Sequence, residues 1–181
     1  MFADLPQQLV VDATQVYRSR FSQILAMPKD GSASQATIAF GDSAPFLAVD
    51  GSGLYWANGH SVHHRPAGRS LDQTVALTDT IISQPLALTD GAVWFWNGGL
   101  ARAPKDGSPG FQVVIAETPL LGAFAGSTDV VIWQRSGELM QANEAGEVST
   151  LTNLTAPVEN LAVADDRAYW IASGSLMSAP L

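Results

Sequence analysis

Leu86-Ala87-Leu88-Thr89-Asp90-Gly91-Ala92-Val93-Trp94-Phe95-Trp96-Asn97-Gly98-Gly99-Leu100-Ala101-Arg102-Ala103-Pro104-Lys105-Asp106-Gly107 is the stretch that decides the fold. Its apolar runs, Leu86 to Leu88, Val93 to Trp96 and Leu100 to Ala103, are short and bounded by Asp-Gly, Asn-Gly-Gly and Pro-Lys-Asp-Gly. Those are strand and turn signals. Gly supplies the positive φ of tight hairpins, and the closing Pro has no amide hydrogen with which to extend a ladder. A fourth run, Gln112 to Ala116, follows the last turn. We call the runs a, b, c and d, from a central axis outward.

The same phrase recurs along the chain, starting at Leu9, Leu47, Leu86, Ala123 and Leu161, with spacings of 38, 39, 37 and 38 residues. Leu9-Val10-Val11-Asp12, Leu47-Ala48-Val49-Asp50 and Leu161-Ala162-Val163-Ala164 repeat the a segment, and Ala123-Phe124-Ala125-Gly126 is the weakest copy. The b segments hold Val16-Tyr17, Leu54-Tyr55-Trp56, Val130 to Trp133 and Ala168 to Ile171, while Ile24, Val62, Leu100, Leu139 and Leu176 form one c column. Four strands in about 40 residues, repeated without a linker, predict an all-β fold. The expected form is a β-propeller of five short four-stranded blades in a single domain, residues 1–181. One blade cannot cover both of its own faces, so burial between neighbouring blades, at about 25 cal/mol per Å² of apolar area, is the expected source of stability. Gln7 to Leu25, free of Gly and Pro, also fits helical spacing weakly, but its columns coincide with the other repeats and the repeat overrules it.

The last repeat stops at Leu181, after its c segment, and so lacks an outer strand. Met1-Phe2-Ala3 aligns with Ala39-Phe40-Gly41, the tail of a d segment. The expectation is an incomplete last blade, closed by the N-terminus or by another chain. In the second case the edge at Leu176 to Ala179 recruits a homo-oligomeric partner, blunted by Pro180.

Composition bounds the function. The net charge is -8 with only Lys29 and Lys105 as lysines, which argues against nucleic acid. No apolar run is long enough for a membrane span, and the first residues lack the pattern of a signal peptide. With no cysteine there is no disulfide, thiolate metal site or cysteine nucleophile.

Val49-Asp50-Gly51-Ser52-Gly53-Leu54-Tyr55-Trp56 and Ala162-Val163-Ala164-Asp165-Asp166-Arg167-Ala168-Tyr169-Trp170 resemble the repeats of the YWTD family, the propellers of LDL-receptor-type cell-surface proteins. They are still more similar to bacterial relatives with a Pro-Lys-Asp-Gly turn, present here as Pro28 to Gly31 and Pro104 to Gly107. The resemblance covers nearly the whole chain and implies a binding propeller that works outside the cytoplasm. Ala57-Asn58 and Ile171-Ala172 replace the family's Thr-Asp, so its structural Asp is not carried over. The family's ring has six blades against five repeats here.

Three sets of residues are candidates for chemistry. His60, His63 and His64 cluster, but on a strand His60 and His64 lie roughly 13 Å apart and His63 points to the other face, so no metal site is expected. By column, His64 is the solvated histidine and His63 the packed one. Asp12, Asp50, Asp90 and Asp165 fall at the a-to-b turn, where Asp caps its own backbone. Asp42, Asp79 and Glu117 fall on the d-to-a connections with nothing to orient one against another. Trp96 and Trp133 share one column at the end of b in consecutive repeats, where they either form an aromatic platform or fill the space between blades. Asn97 and Arg135 stand beside them, and Phe21 and Arg18 extend the set from the first repeat.

The reading is a non-catalytic binding module without cofactor. Its ligand, a carbohydrate, peptide or protein, is expected on the face bearing the b-to-c and d-to-a loops, around Trp96, Trp133, Asn97, Arg135, Phe21 and Arg18. The alternatives are a propeller fragment or engineered scaffold that mainly self-assembles, and a glycoside hydrolase or lyase with channel carboxylates.

Overall fold

A computed structural model describes residues 8–40, 46–82, 84–116 and 123–181. The described residues form five antiparallel sheets and no helix. The first sheet is β1 (Gln8–Val11), β2 (Gln15–Arg20), β3 (Gln23–Pro28) and β4 (Ala36–Phe40). The second is β5 (Phe46–Asp50), β6 (Gly53–Asn58), β7 (Ser61–Pro66) and β8 (Gln73–Leu77). The third is β9 (Ala87–Leu88), β10 (Ala92–Trp96), β11 (Leu100–Pro104) and β12 (Gln112–Ile115). The fourth is β13 (Phe124–Gly126), β14 (Val130–Arg135), β15 (Glu138–Asn143) and β16 (Val148–Asn153). The fifth is β17 (Val158–Ala164), β18 (Arg167–Ala172) and β19 (Ser175–Pro180), with no fourth strand among the described residues.

Every sheet is a meander in chain order, one per sequence repeat, as expected of propeller blades. The stretch open to a helical reading is β1, β2 and β3. Among the described residues the last blade has three strands; Met1 to Ala3, expected to supply the missing one, lie outside them.

Register repeats as faithfully as strand order. In each four-stranded blade the c–d pairing slips by one residue at the same column, between Ile24 and Leu25, Val62 and His63, Leu100 and Ala101, and Leu139 and Met140. The skipped residue is always aliphatic, Ile38, Val75, Val114 or Leu151, so a bulge that bends the outer strand recurs from blade to blade.

The turns are held by short polar side chains. Asp12 Oδ1 accepts hydrogen bonds from the Thr14 and Gln15 amides at 2.6 and 2.7 Å, and its Oδ2 accepts from the Tyr17 hydroxyl at 2.8 Å. Asp50 takes the Ser52 amide in the same way, and Asp30 and Asp106 cap the two Pro-Lys-Asp-Gly turns through Ser32 and Ser108. The lysine of each such turn donates back to the a-to-b turn of its own blade, Lys29 to the Asp12 carbonyl and Lys105 to the Thr89 carbonyl. These acids and both lysines are therefore architectural.

The chain resolves into two compact units, Met1–Leu86 and Ala87–Leu181, each with its own apolar core. In the first, Ile24 and Ala39 of blade 1 pack with Leu47, Leu54 and Trp56 of blade 2. In the second, Trp94, Trp96 and Leu100 pack with Val131, Trp133 and Met140, and Ile132 and Leu139 pack with Ala168 and Trp170. Within each unit the interior thus lies between consecutive blades, where the flat apolar faces meet.

Candidate functional site

The tryptophan pair is the first candidate, and the structure relocates it. Phe124, not Ala123, stands opposite Trp133, in the way that Leu47 stands opposite Trp56 and Leu161 opposite Trp170. The fourth repeat therefore starts one residue later than its sequence implies. Because strand side chains alternate, that single step puts Trp96 and Trp133 on opposite faces of their blades. They converge from β10 and β14 into one core cluster, both buried, with Phe124 tilted against Trp96 at 6.4 Å. The two indoles are packing residues and present no open platform to a ligand.

The companions come from three blades. The Asn97 amide donates to the Gly99 carbonyl in the β10–β11 turn, and Arg135 faces Glu138 across the β14–β15 turn. Phe21 is exposed at the β2–β3 turn beside the Arg20 guanidinium, and Arg18 lies between Leu9 and Leu25 on blade 1. Phe21 and Arg18 belong to the first compact unit, the other residues of the set to the second.

Of the two strand histidines, His64 departs from its expected role and His63 keeps the packed one. His64 is the buried one, its ring parallel to Tyr55 at 4.1 Å with Nε2 3.2 Å from the Ser52 carbonyl. Tyr55, opposite it in register, supplies an apolar surface that the column's composition did not reveal. His63 is half-buried against Trp56, with Nε2 2.8 Å from the Ser61 hydroxyl. Burial pushes its pKa below the usual imidazole range, opposed by the Asp72 carboxylate. His60 is exposed, and the described residues hold no cluster able to bind a metal ion. Of the expected d-to-a carboxylates, Asp79 is exposed, whereas Asp42 and Glu117 lie outside the described residues.

A concave site does exist at the other end of blade 3, where the a-to-b and c-to-d turns lie. A cleft of about 340 Å³ is lined by Gly91 of the β9–β10 turn, Arg102 and Pro104 of β11, Phe111 and Gln112 at the start of β12, and Glu144 after β15. Arg102 lies opposite Trp94 on one side and Gln112 on the other. Its guanidinium carbon stands 5.8 Å from the Trp94 ring centroid, a cation–π arrangement, and its Nη2 donates to Gln112 Oε1 at 2.9 Å. Phe111 meets Phe95 edge to face at 5.6 Å, so the aromatic rim is anchored in the core. Glu144 Oε1 accepts the Gly91 amide at 2.6 Å; any Cβ at that glycine would run into the carboxylate.

The hollow recurs one blade on, where Asp129, Gln141, Asn143 and Ser149 occupy the corresponding columns. The recess is thus a property of the blade, and Arg102 with Phe111 distinguishes its third-blade copy. The column that holds Arg102 was visible in the sequence as a mostly polar one, shared with His64, Gln141 and Ser178, although blade 1 places Ala26 there. Phe111 carried no signal, because it lies just before its strand.

No family model and no curated protein matches this sequence. Solved structures do match. The computationally designed Ika8 protein superposes with a TM-score of 0.72 at 13% identity, over 96% of this chain and 57% of that one. A chain of the nidogen/laminin complex gives 0.65 at 16% identity, over 93% and 72%. A gluconolactonase from Xanthomonas campestris gives 0.68 at 14% identity, over 98% and 72%. The strand order, the repeated bulge and these superpositions together make the protein a β-propeller, its last blade three-stranded. At such identities the likeness is one of fold, and the chain spans 57% of the length of the designed Ika8 protein. No helix among the described residues is long and apolar enough to cross a membrane.

Proposed function

We propose that this chain is a non-catalytic, YWTD-like binding propeller that takes an acidic side chain of a peptide or protein partner into the cleft at Arg102. The observation that carries the reading is the fixed guanidinium. Trp94 supports one face of Arg102 and Gln112 holds one edge, so the remaining N–H groups are oriented before any ligand arrives. A planar fork held in this way matches a carboxylate in two-pronged fashion. Phe111 adds an apolar wall, and β12, the outer strand of its sheet, has a ladder edge along which an extended peptide can align. A cleft of about 340 Å³ is at the small end of ligand sites and fits one side chain better than a drug-sized molecule.

Binding is favoured over hydrolysis because the cleft contains one carboxylate, Glu144, already engaged with a backbone amide. Glycosidic hydrolysis ordinarily needs two.

The test is an array of immobilised peptides in which Asp and Glu are paired with Asn and Gln at the same positions. Binding should prefer the acidic members, and Arg102→Ala should remove the preference while Arg102→Lys keeps part of it. Equal binding to both members, or a preference unchanged in Arg102→Ala, would overturn the assignment.

A further inference from the structure

The cleft at Arg102 contains a second charge, of opposite sign. Glu144, from blade 4, reaches the β9–β10 turn of blade 3, where its Oε1 accepts the Gly91 amide. Both blades belong to the second compact unit. Among the described residues, Glu144 Oε2 has no hydrogen-bond partner and no ion pair joins Glu144 to Arg102. Each charge is held by its own neighbours instead, Arg102 by Trp94 and Gln112 and Glu144 by a backbone amide. Opposite charges that share a cleft yet stay apart suit a ligand that carries both signs. A purely acidic ligand meets the Glu144 carboxylate as well as the Arg102 guanidinium, and like charge opposes its entry. The chain's net charge of -8 acts in the same direction.

Strand register sets the spacing. Trp94 stands opposite Arg102 and Ala92 opposite Pro104, and Gly91, which anchors Glu144, precedes Ala92. At about 3.3 Å per residue, the two anchors lie two to three residues, roughly 7–10 Å, apart along the blade. An extended peptide puts residues i and i+2 on one face at about 7 Å, and the flexible stem of a lysine spans the remainder. Gln112, which pairs with Arg102, opens the outer strand β12. Gly110, two residues before it, lines the same cleft and has no side chain to obstruct the second position.

We infer that the cleft selects an extended segment of its partner in which an Asp or Glu stands two residues from a Lys or Arg, the acid pairing with Arg102 and the base with Glu144. This selection presupposes the acid-binding role of Arg102 and adds the ligand's second charge. Glu144 is then a specificity residue, strengthening segments of mixed charge and turning away purely acidic ones.

Peptides that carry one Glu in a Ser-Thr background, with Lys or Gln at each nearby position in turn, test this by fluorescence anisotropy. Lys two positions from the Glu should tighten binding about two- to fivefold over Gln, the scale of an ion pair open to solvent. Lys in the adjacent position, which points to the other face, should give no gain. Glu144→Gln keeps an oxygen for the Gly91 amide. It should abolish the lysine gain and tighten the Gln-bearing peptides, a crossover that a merely structural Glu144 would not produce. Acetyl-lysine in the peptide should abolish the gain on the wild-type chain, which keeps the test decisive if the variant fails to fold. If the preference for Glu persists but lysine adds nothing, adds equally at every position, or still adds in Glu144→Gln, the selection of a base is overturned and the acid-binding role stands. Loss of the preference for Glu itself overturns both.

Discussion

Gly126 on β13 lies so close to Leu88 on β9 that a Cβ at residue 126 would run into the Leu88 carbonyl. The innermost strands of consecutive blades approach each other there through bare backbone, so the glycine is a packing requirement. Gly126→Ala should lower stability by about 1–3 kcal/mol through overpacking. Gly51, whose added Cβ meets nothing, is the control, and Gly51→Ala should be nearly neutral in the same urea titration.

Leu139 is buried in the contact between blades 4 and 5 beside Ile132, Ala168 and Trp170. Leu139→Ala leaves a cavity where two sheets meet and should cost about 2–5 kcal/mol. Leu71, exposed in the β7–β8 connection, should tolerate the same change within about 0.5 kcal/mol. Chemical denaturation of the two variants side by side reads the difference.

His63 makes the fold sensitive to acid. Burial against Trp56 holds its pKa below the unfolded value, so protonation favours the unfolded chain. Its contribution is complete above about pH 6.5 and is lost as the pH falls below that value. His63→Phe should flatten the decline of the melting temperature between neutral pH and pH 5.

Tyr17 has the opposite dependence at high pH. Burial and the bond to Asp12 push its phenol up to about 12. The folded state thus favours the protonated phenol, and this stability is lost as the pH rises from about 10 toward 12. Tyr17→Phe should remove that component, seen as a shallower alkaline loss of stability, and should remove one late-ionising phenol from the ultraviolet titration.

The blades and their order were legible because the period, the turn residues and the apolar columns point the same way. The register of blade 4 was not. Ala123 and Phe124 are both apolar, and only strand pairing shows which of them faces Trp133; a one-residue slip exchanges the two faces of a strand. His64 was misjudged because burial there depends on Tyr55, a neighbour across the ladder. The cleft was half legible: Arg102 stood in a recognisable polar column, but its orientation comes from Trp94 and Gln112 on the adjacent strands. The division at Leu86 and Ala87 falls inside a strand phrase, where no change of composition marks it.

One cross-strand register repeats through the blades, and backbone Hα–Hα contacts in the nuclear magnetic resonance spectrum of the labelled chain measure it directly. Residues paired across a and b, or adjacent to those pairs, should show such contacts around Leu9 and Arg18, Leu47 and Trp56, Phe124 and Trp133, and Leu161 and Trp170. Helical contacts over residues 9–25, or contacts that place Ala123 opposite Trp133, would contradict it.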